Sequence, residues 1–390
     1  MNQQPIYDDG DALNLEQQRR QYLLQMRQFF EELPLLPPQK MFDLLAEQHY
    51  KGQDDARKAI TLLAYRHVRR LKRIYLDGMP REQLPPKSNY LMIGPTGCGK
   101  TFLVELLFRK ILQLPTAIVD VTQFSETGYV GNDTCTMLTT LLHHTGQNPV
   151  AAAAGIICLD EFDKLATTQN QARFDGQGTT KDVTGFGVQR ELLRMLEGTE
   201  IMVPLDYNNT MYSQRIPLRT EDITFIACGT FSGLKGITAS ANALIGFSAG
   251  GGDEVHAEKS AHKIAVDFGE DEISDIEHFQ QYGFLPELMG RFTRIIALRA
   301  LDRDTLKAIL METVVKKFYR EFKAEGVKLQ VEKNVLHEIV EQSFKRQTGA
   351  RGLASVLMKY LEDAAFRSFC SPAKTATLRM KGKDVVVDIA

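Results

Sequence analysis

The chain has 390 residues, 25% of them charged and 43% hydrophobic, with a formal net charge of -2. That length allows about two to three domains with real cores, and the near-neutral balance gives no global electrostatic case for nucleic acid or an anionic membrane. Five scattered cysteines without a C-x-x-C pair argue against a disulfide framework or a zinc ribbon, and the longest apolar run, Val150 to Leu159, is about half of the roughly 20 residues that a membrane span needs.

In chain order, Met1 to Asp11 is polar and acidic, so it is not expected to be a signal peptide, and the chain reads as cytoplasmic. Leu13 to Leu33 reads as a helix with a partly apolar face, stopped by Pro34, Pro37 and Pro38. It is either an arm for a partner or a helix docked on its own domain. Two more helices, Lys40 to Gln48 and Gln53 to Tyr75, surround Tyr50-Lys51-Gly52-Gln53. The second carries Arg66, Arg69, Arg70, Lys72 and Arg73, a pattern that reads as a solvated face. A proline-rich linker, Pro80 to Pro86, leads to the apolar strand Asn89 to Ile93.

The next eight residues are Gly94-Pro95-Thr96-Gly97-Cys98-Gly99-Lys100-Thr101. They form a G-x-x-x-x-G-K-[ST] phosphate loop in its required context, between that strand and a helix over Phe102 to Lys110. Backbone N–H groups and the helix start converge there, adding roughly half a positive charge, so the point attracts phosphate. Lys100 is expected to reach the β- and γ-phosphates of ATP, and the Thr101 hydroxyl to ligate Mg²⁺.

Strands and helices then alternate: Ala117 to Asp120, a helix over Asp133 to His144, a strand ending Ala152 to Leu159, a helix over Val188 to Glu197, and a strand over Thr224 to Ala227. The alternation predicts a parallel sheet covered by helices on both faces. Asp160 and Glu161 end the third of these strands, where an open α/β sheet places its catalytic groups. Asp160 is expected to hold the water shell of Mg²⁺ and Glu161 to polarise the attacking water, a role worth roughly 10² to 10⁴ in rate. Thr167 to Gly187 and Gly246 to Gly252 read as loops. After Arg299 come long amphipathic helices, Asp304 to Ala324, Glu332 to Lys345 and Gly352 to Phe369, and a terminal hairpin over Thr375 to Met380 and Asp384 to Ile389. Three regions are expected: a helical extension (1–37), a large α/β ATPase domain (38–299) and a small helical domain (300–390).

Five blocks carry a resemblance: the phosphate loop, Leu159 to Lys164, Gly187 to Gly198, Gly283 to Phe292 and Thr348 to Leu353. In this order they resemble the ClpX-like branch (Clp/HslU) of the AAA+ ATPases, from roughly Pro38 to the C-terminus. The resemblance implies an α/β fold: a P-loop large domain with a parallel sheet, then a mainly helical small domain. It implies that Arg291 is an arginine finger acting on a neighbouring subunit's nucleotide, and that Arg351 is the sensor-2 arginine of its own. Thr230 falls at sensor 1, although Cys228 and Gly229 leave open which residue faces phosphate. Tyr129 and Val130 match the pore loop that grips polypeptide, and Ile245-Gly246-Phe247 matches the tripeptide that docks on the ClpP peptidase.

The chain also departs from the family. No cysteine precedes Cys98, so the family's N-terminal zinc module is not expected here; Tyr50-Lys51 replaces an aliphatic pair at the adenine pocket, Cys98 replaces a serine, and the basic cluster expected around Tyr207 to Arg215 is absent from the sequence. The expected function is an ATP-dependent unfoldase, a homo-hexameric ring that threads polypeptide substrates through its pore, with delivery to a ClpP-like peptidase left open. Two rivals are a stand-alone remodeller of protein complexes and a nucleic-acid motor. Charge and the Tyr-Val loop argue against the second. A switch that binds ATP without turning it over is opposed by Glu161 and Arg291.

Overall fold

A computed structural model describes residues 21, 24–124, 134–166, 185–206, 214–238, 268, 273, 275–382 and 384–390. Its centre is a five-stranded parallel sheet of β1 (Tyr90–Ile93), β2 (Thr116–Asp120), β3 (Ile156–Asp160), β6 (Thr224–Gly229) and β7 (Arg294–Ala297), in the order β2-β3-β6-β1-β7. All four residues of β1 and all six of β6 are buried, because the middle strands are covered on both faces. One face packs against α5 (Thr136–His144) and α7 (Phe186–Glu197), through Leu141, Leu192 and Phe225. The other packs against α2 (Pro38–Glu47) and α3 (Asp54–Tyr75), through Leu45, Ile60 and Met92. Each such side chain contributes about 1.5–3 kcal/mol when fully removed from water.

The helix over residues 24–32, α1, docks on this domain. Phe30 stacks on Tyr75 with ring centroids 4.1 Å apart, and Lys72 donates to the carbonyl oxygens of Phe30 and Glu31. The docked alternative therefore holds for the described part of the extension. The apolar run from Val150 splits in two. Asn148 caps α6 (Pro149–Ala153) by accepting from the N–H groups of Val150 and Ala151, and β3 starts only at Ile156.

Several elements go beyond the expected set, among them β7 on the sheet edge, the antiparallel pair β4 (Glu200–Pro204) and β5 (Arg215–Arg219), and the short helices α8 (Ile276–Tyr282) and α9 (Pro286–Met289). Beyond Arg299 a separate core gathers Leu306, Phe322, Ile339, Leu357 and Leu378. It joins α10 (Arg303–Ile309), α11 (Val315–Ala324), α12 (Lys333–Lys345) and α13 (Gly349–Ser368) to a small sheet. The terminal hairpin of β9 (Thr375–Lys381) and β10 (Asp384–Ile389) forms as expected. A parallel third strand, β8 (Lys328–Val331), pairs with β9 and lies at the sheet edge. Among the described residues no helix is long and apolar enough to cross a membrane.

Candidate active site at the carboxyl ends of the sheet

β1 ends at Ile93 and the phosphate loop turns back over its carboxyl end into α4 (Lys100–Val104). The turn requires glycine at two points. Gly97 has φ +74°, and a Cβ there would lie 2.3 Å from the carbonyl oxygen of Thr348. Gly99 has φ +98° and lies against the Tyr50 ring. Only glycine adopts such angles freely. Lys100 is buried, and its amine donates to the carbonyl oxygens of Gly94 (2.7 Å) and Pro95 (3.0 Å). A nucleotide phosphate would draw the same three N–H donors outward.

A cleft of about 350 Å³ opens beside the loop, lined on one wall by Thr96 to Thr101 (Cys98 excepted) and on the other by Asp160, Glu161 and Thr230. The Thr101 hydroxyl donates to the Asp160 carboxylate at 2.9 Å. That bond joins the two oxygen donors expected to serve one cation. Glu161 follows with φ +55°, and its N–H is held by the Asp160 carboxylate at 3.0 Å. A glutamate in the left-handed region costs about 1–3 kcal/mol and is kept where function demands it. Its carboxylate has no hydrogen-bond or ion-pair partner among the described residues.

Thr230 is fixed by Asp163, a residue without an assigned role at the sequence level. The Asp163 carboxylate accepts from both the N–H and the hydroxyl of Thr230, each at 2.9 Å. Of the three residues in question at the end of β6, Cys228 turns away into the core, 3.8 Å from Cys158, and Gly229 has no side chain to offer. Thr230 is the one that presents a hydroxyl to the cleft wall. Asp163 and Lys164 line the same wall. They lie within the quoted block Leu159 to Lys164, and only the pairing of β3 with β6 brings Asp163 to Thr230.

Arg351 and Ala350 reach the cleft from the first turn of α13. Here the small core meets the phosphate loop backbone to backbone, with the N–H of Ala350 donating to the Gly97 oxygen at 3.0 Å. Cys98 faces a smaller crevice of about 90 Å³ between the loop and the helical half. Burial pushes its thiol up, against the opposing pull of the Lys100 amine. Tyr50 lines neither cavity. It lies beneath the loop, 4% exposed, with its hydroxyl donating to the Gly99 oxygen at 3.3 Å. Burial holds that phenol far above its ordinary range, so it stays a donor.

Arg291 does not join this cleft. It sits at the amino ends of β1 and β7, where its backbone oxygen accepts from Asn89, and its guanidinium pairs with Glu197 at the surface. The length of β1, about 13 Å for four residues, separates that end from the loop. The pore pair Tyr129 and Val130, the tripeptide Ile245-Gly246-Phe247 and residues 207–213 lie outside the described residues.

Comparison with known sequences turns this geometry into a class. Residues 85–295 match the family described as AAA domain (Cdc48 subfamily), and residues 301–374 match the C-terminal, D2-small domain, of ClpB protein. The cleft is that of an AAA+ ATPase, which binds and hydrolyses ATP.

Within that class the chain belongs to the ClpX family. It is 34% identical over 340 residues to the ATP-dependent Clp protease ATP-binding subunit ClpX of Borrelia duttonii, covering 85% of this chain and 74% of that protein. The subunits of the same name from Bacteroides thetaiotaomicron and Azotobacter vinelandii are 34% and 36% identical, each over 82% of this chain and 74% and 72% of theirs.

Proposed function

We propose that this ATPase is a protein unfoldase: a ring of six copies that pulls polypeptide through a central pore and hands it to a ClpP-like peptidase. The observation that carries the reading is the distance of Arg291 from its own cleft. An arginine at the amino ends of the strands serves hydrolysis only if a neighbour's cleft is brought to it, and a head-to-tail contact of that kind makes a ring when its rotation closes. The relatives' description as subunits of an ATP-dependent Clp protease supports a polypeptide substrate and a peptidase partner.

In the proposed cycle the loop N–H groups and Lys100 hold the phosphates of ATP, while Arg351 carries its state to the helical half. Thr101 and Asp160 offer hydroxyl and carboxylate oxygens, a donor set that suits Mg²⁺. When bound there, the ion neutralises phosphate charge. Glu161 takes a proton from the water that attacks the γ-phosphorus, Thr230 orients beside it, and the neighbour's Arg291 meets the charge that develops on the transferred group. Tyr129 and Val130 are assigned to polypeptide gripping, and Ile245-Gly246-Phe247 to peptidase docking.

The test follows loss of fluorescence from a tagged, stably folded fluorescent protein with ATP, with and without a ClpP-like peptidase from the same cell. Unfolding in both arms, with degradation in one, is the expected result. Unfolding with no effect of any peptidase would favour the stand-alone remodeller, and ATP turnover stimulated by single-stranded DNA alone would overturn the reading.

A further inference from the structure

The nucleotide cleft is smaller than a second cavity, about 520 Å³, at the other end of the sheet. It runs between the last turns of α3 and residues 84–88. Its floor is apolar, with Leu63, Leu71, Leu84 and Pro85. Its rim is basic: Arg66, Arg69 and Arg73 stand three and four residues apart, so they share one face of the helix.

The rim charges are uncompensated. Among the described residues Arg66, Arg69 and Arg73 have no hydrogen-bond or ion-pair partner. Asp222, the only carboxylate among the described residues that line the cavity, is already engaged by Arg81 at 2.6 Å and by the Tyr75 hydroxyl at 2.8 Å. Arg70 acts instead as a strut, donating to the Pro85 oxygen at 2.8 Å and leaving its buried Nε unpartnered. The Lys87 amine turns to the Thr220 oxygen at 2.8 Å. Three free guanidinium groups are thus held over an apolar trough that the fold keeps open.

We propose that this groove is a docking site for an acidic peptide of a partner protein, in which an aliphatic side chain enters the trough and flanking carboxylates meet Arg66, Arg69 and Arg73. Guanidinium forks bind carboxylates two bonds at a time, and an aliphatic floor adds affinity that a bare anion cannot use. A nucleic-acid backbone would match the arginines and leave the floor idle. The groove contains no residue of the nucleotide cleft, so docking there adds a partner without blocking turnover.

The experiment measures binding of a fluorescein-labelled 12-residue peptide alternating Asp and Leu to the full chain, by anisotropy across a salt series. Expected is saturable binding that weakens steeply with salt and falls tenfold or more in Arg66→Gln/Arg69→Gln/Arg73→Gln, with ATP hydrolysis unchanged. A distant control, Lys316→Gln/Lys317→Gln on α11, should bind as the parent does.

Loss of affinity when the peptide's Leu residues become Ser supports use of the trough; indifference to that change overturns it. Tighter binding of a 20-nucleotide single strand, lost in the same triple variant, would assign the groove to nucleic acid and overturn the proposal. Peptide binding only when Asp8, Asp9 and Asp11 are changed to Asn would show that the chain fills its own groove. Binding abolished on ring assembly would show that a neighbouring subunit covers it. Either result would overturn an open docking surface.

Discussion

The two ends of the parallel sheet treat polar groups in opposite ways. At the amino ends the buried groups around Asp222, Asn89 and His67 satisfy one another, and the open charges are confined to the arginines of the neighbouring groove. Asp222 accepts from Tyr75 and Arg81, and those two donors hold its carboxyl below the usual range against the cost of burial. Asn89 ties Phe225 to Arg291, and buried His67 spans Ala154 and Thr224. At the carboxyl ends the same chain leaves groups open: among the described residues the Glu161 carboxylate, in a left-handed turn, has no partner, and the Lys100 amine is held by its own loop, through the Gly94 and Pro95 carbonyls and the Cys98 sulfur. Closed networks fix a fold, whereas chemistry needs groups whose partners are still to come. Arg291 crosses the division. It stands at the closed end, yet its ion pair with Glu197 is on the surface, where such a pair is worth about 0–1 kcal/mol.

That division can be broken, and the largest effect is expected from Arg291→Ala. Hydrolysis should fall by roughly 10³ to 10⁵ if the residue completes a neighbour's cleft, with nucleotide affinity little changed. Mixing it with Glu161→Gln subunits should restore turnover at interfaces that receive both intact residues. No rescue in rings shown to be mixed would remove Arg291 from catalysis. Glu161→Gln alone should slow hydrolysis by about 10² to 10⁴ while ATP still binds, as equilibrium dialysis would report; near-normal turnover would clear Glu161 of the base's role.

The closed end answers in stability instead. Asp222→Ala removes the buried acceptor shared by Arg81 and the Tyr75 hydroxyl, which then have each other and the 3.6 Å Arg81–Glu221 pair. It should cost about 3 kcal/mol, the low end for a broken buried pair because Arg81 keeps a third of its side chain exposed. Chemical denaturation measures that loss, and an unchanged midpoint would show the network to be ornamental.

His67 gives the most graded effect. Burial lowers its pKa from 6.5 to about 4, and it sits neutral, donating from Nε2 to Ala154 and accepting at Nδ1 from Thr224. Between those values the unfolded chain holds a proton that the native chain lacks. The His67 contribution is therefore complete above about pH 6.5 and drains away as pH falls towards 4, by at most about 1.4 kcal/mol per unit. His67→Gln should flatten that part of the stability–pH curve; an identical slope would mean that other groups set it.

Much of this was legible in the residues. Strands β1, β3 and β6 announce themselves as apolar runs, and the phosphate loop and the Asp160–Glu161 pair identify the cleft. Contacts made across the sheet are a different matter. Asp163 meets Thr230 only because β3 lies beside β6, 67 positions further on. β7 is a four-residue edge strand that begins with an exposed arginine, too short and too mixed to show a period. The arginines of α3 illustrate the limit best. Helical spacing gathers them on one face, and a solvated face is a fair reading of that alone. What lies opposite, the trough against residues 84–88, depends on a linker whose course no local pattern encodes.

The contact between Gly97 and the start of α13 has a mechanical consequence. The Gly97 N–Cα–C unit and Thr348 approach more closely than any side chain permits, so the phosphate loop has no slack against the helical half. A nucleotide that displaces the loop must move α13 with it, and thermodynamic reciprocity runs the relation backwards by the same factor. A pull on the helical half, such as a resisting polypeptide would exert, then reads out as altered ATP affinity. Holding the two halves apart with a rigid cross-link should therefore shift nucleotide affinity, and an unchanged affinity would show that the junction does not couple them.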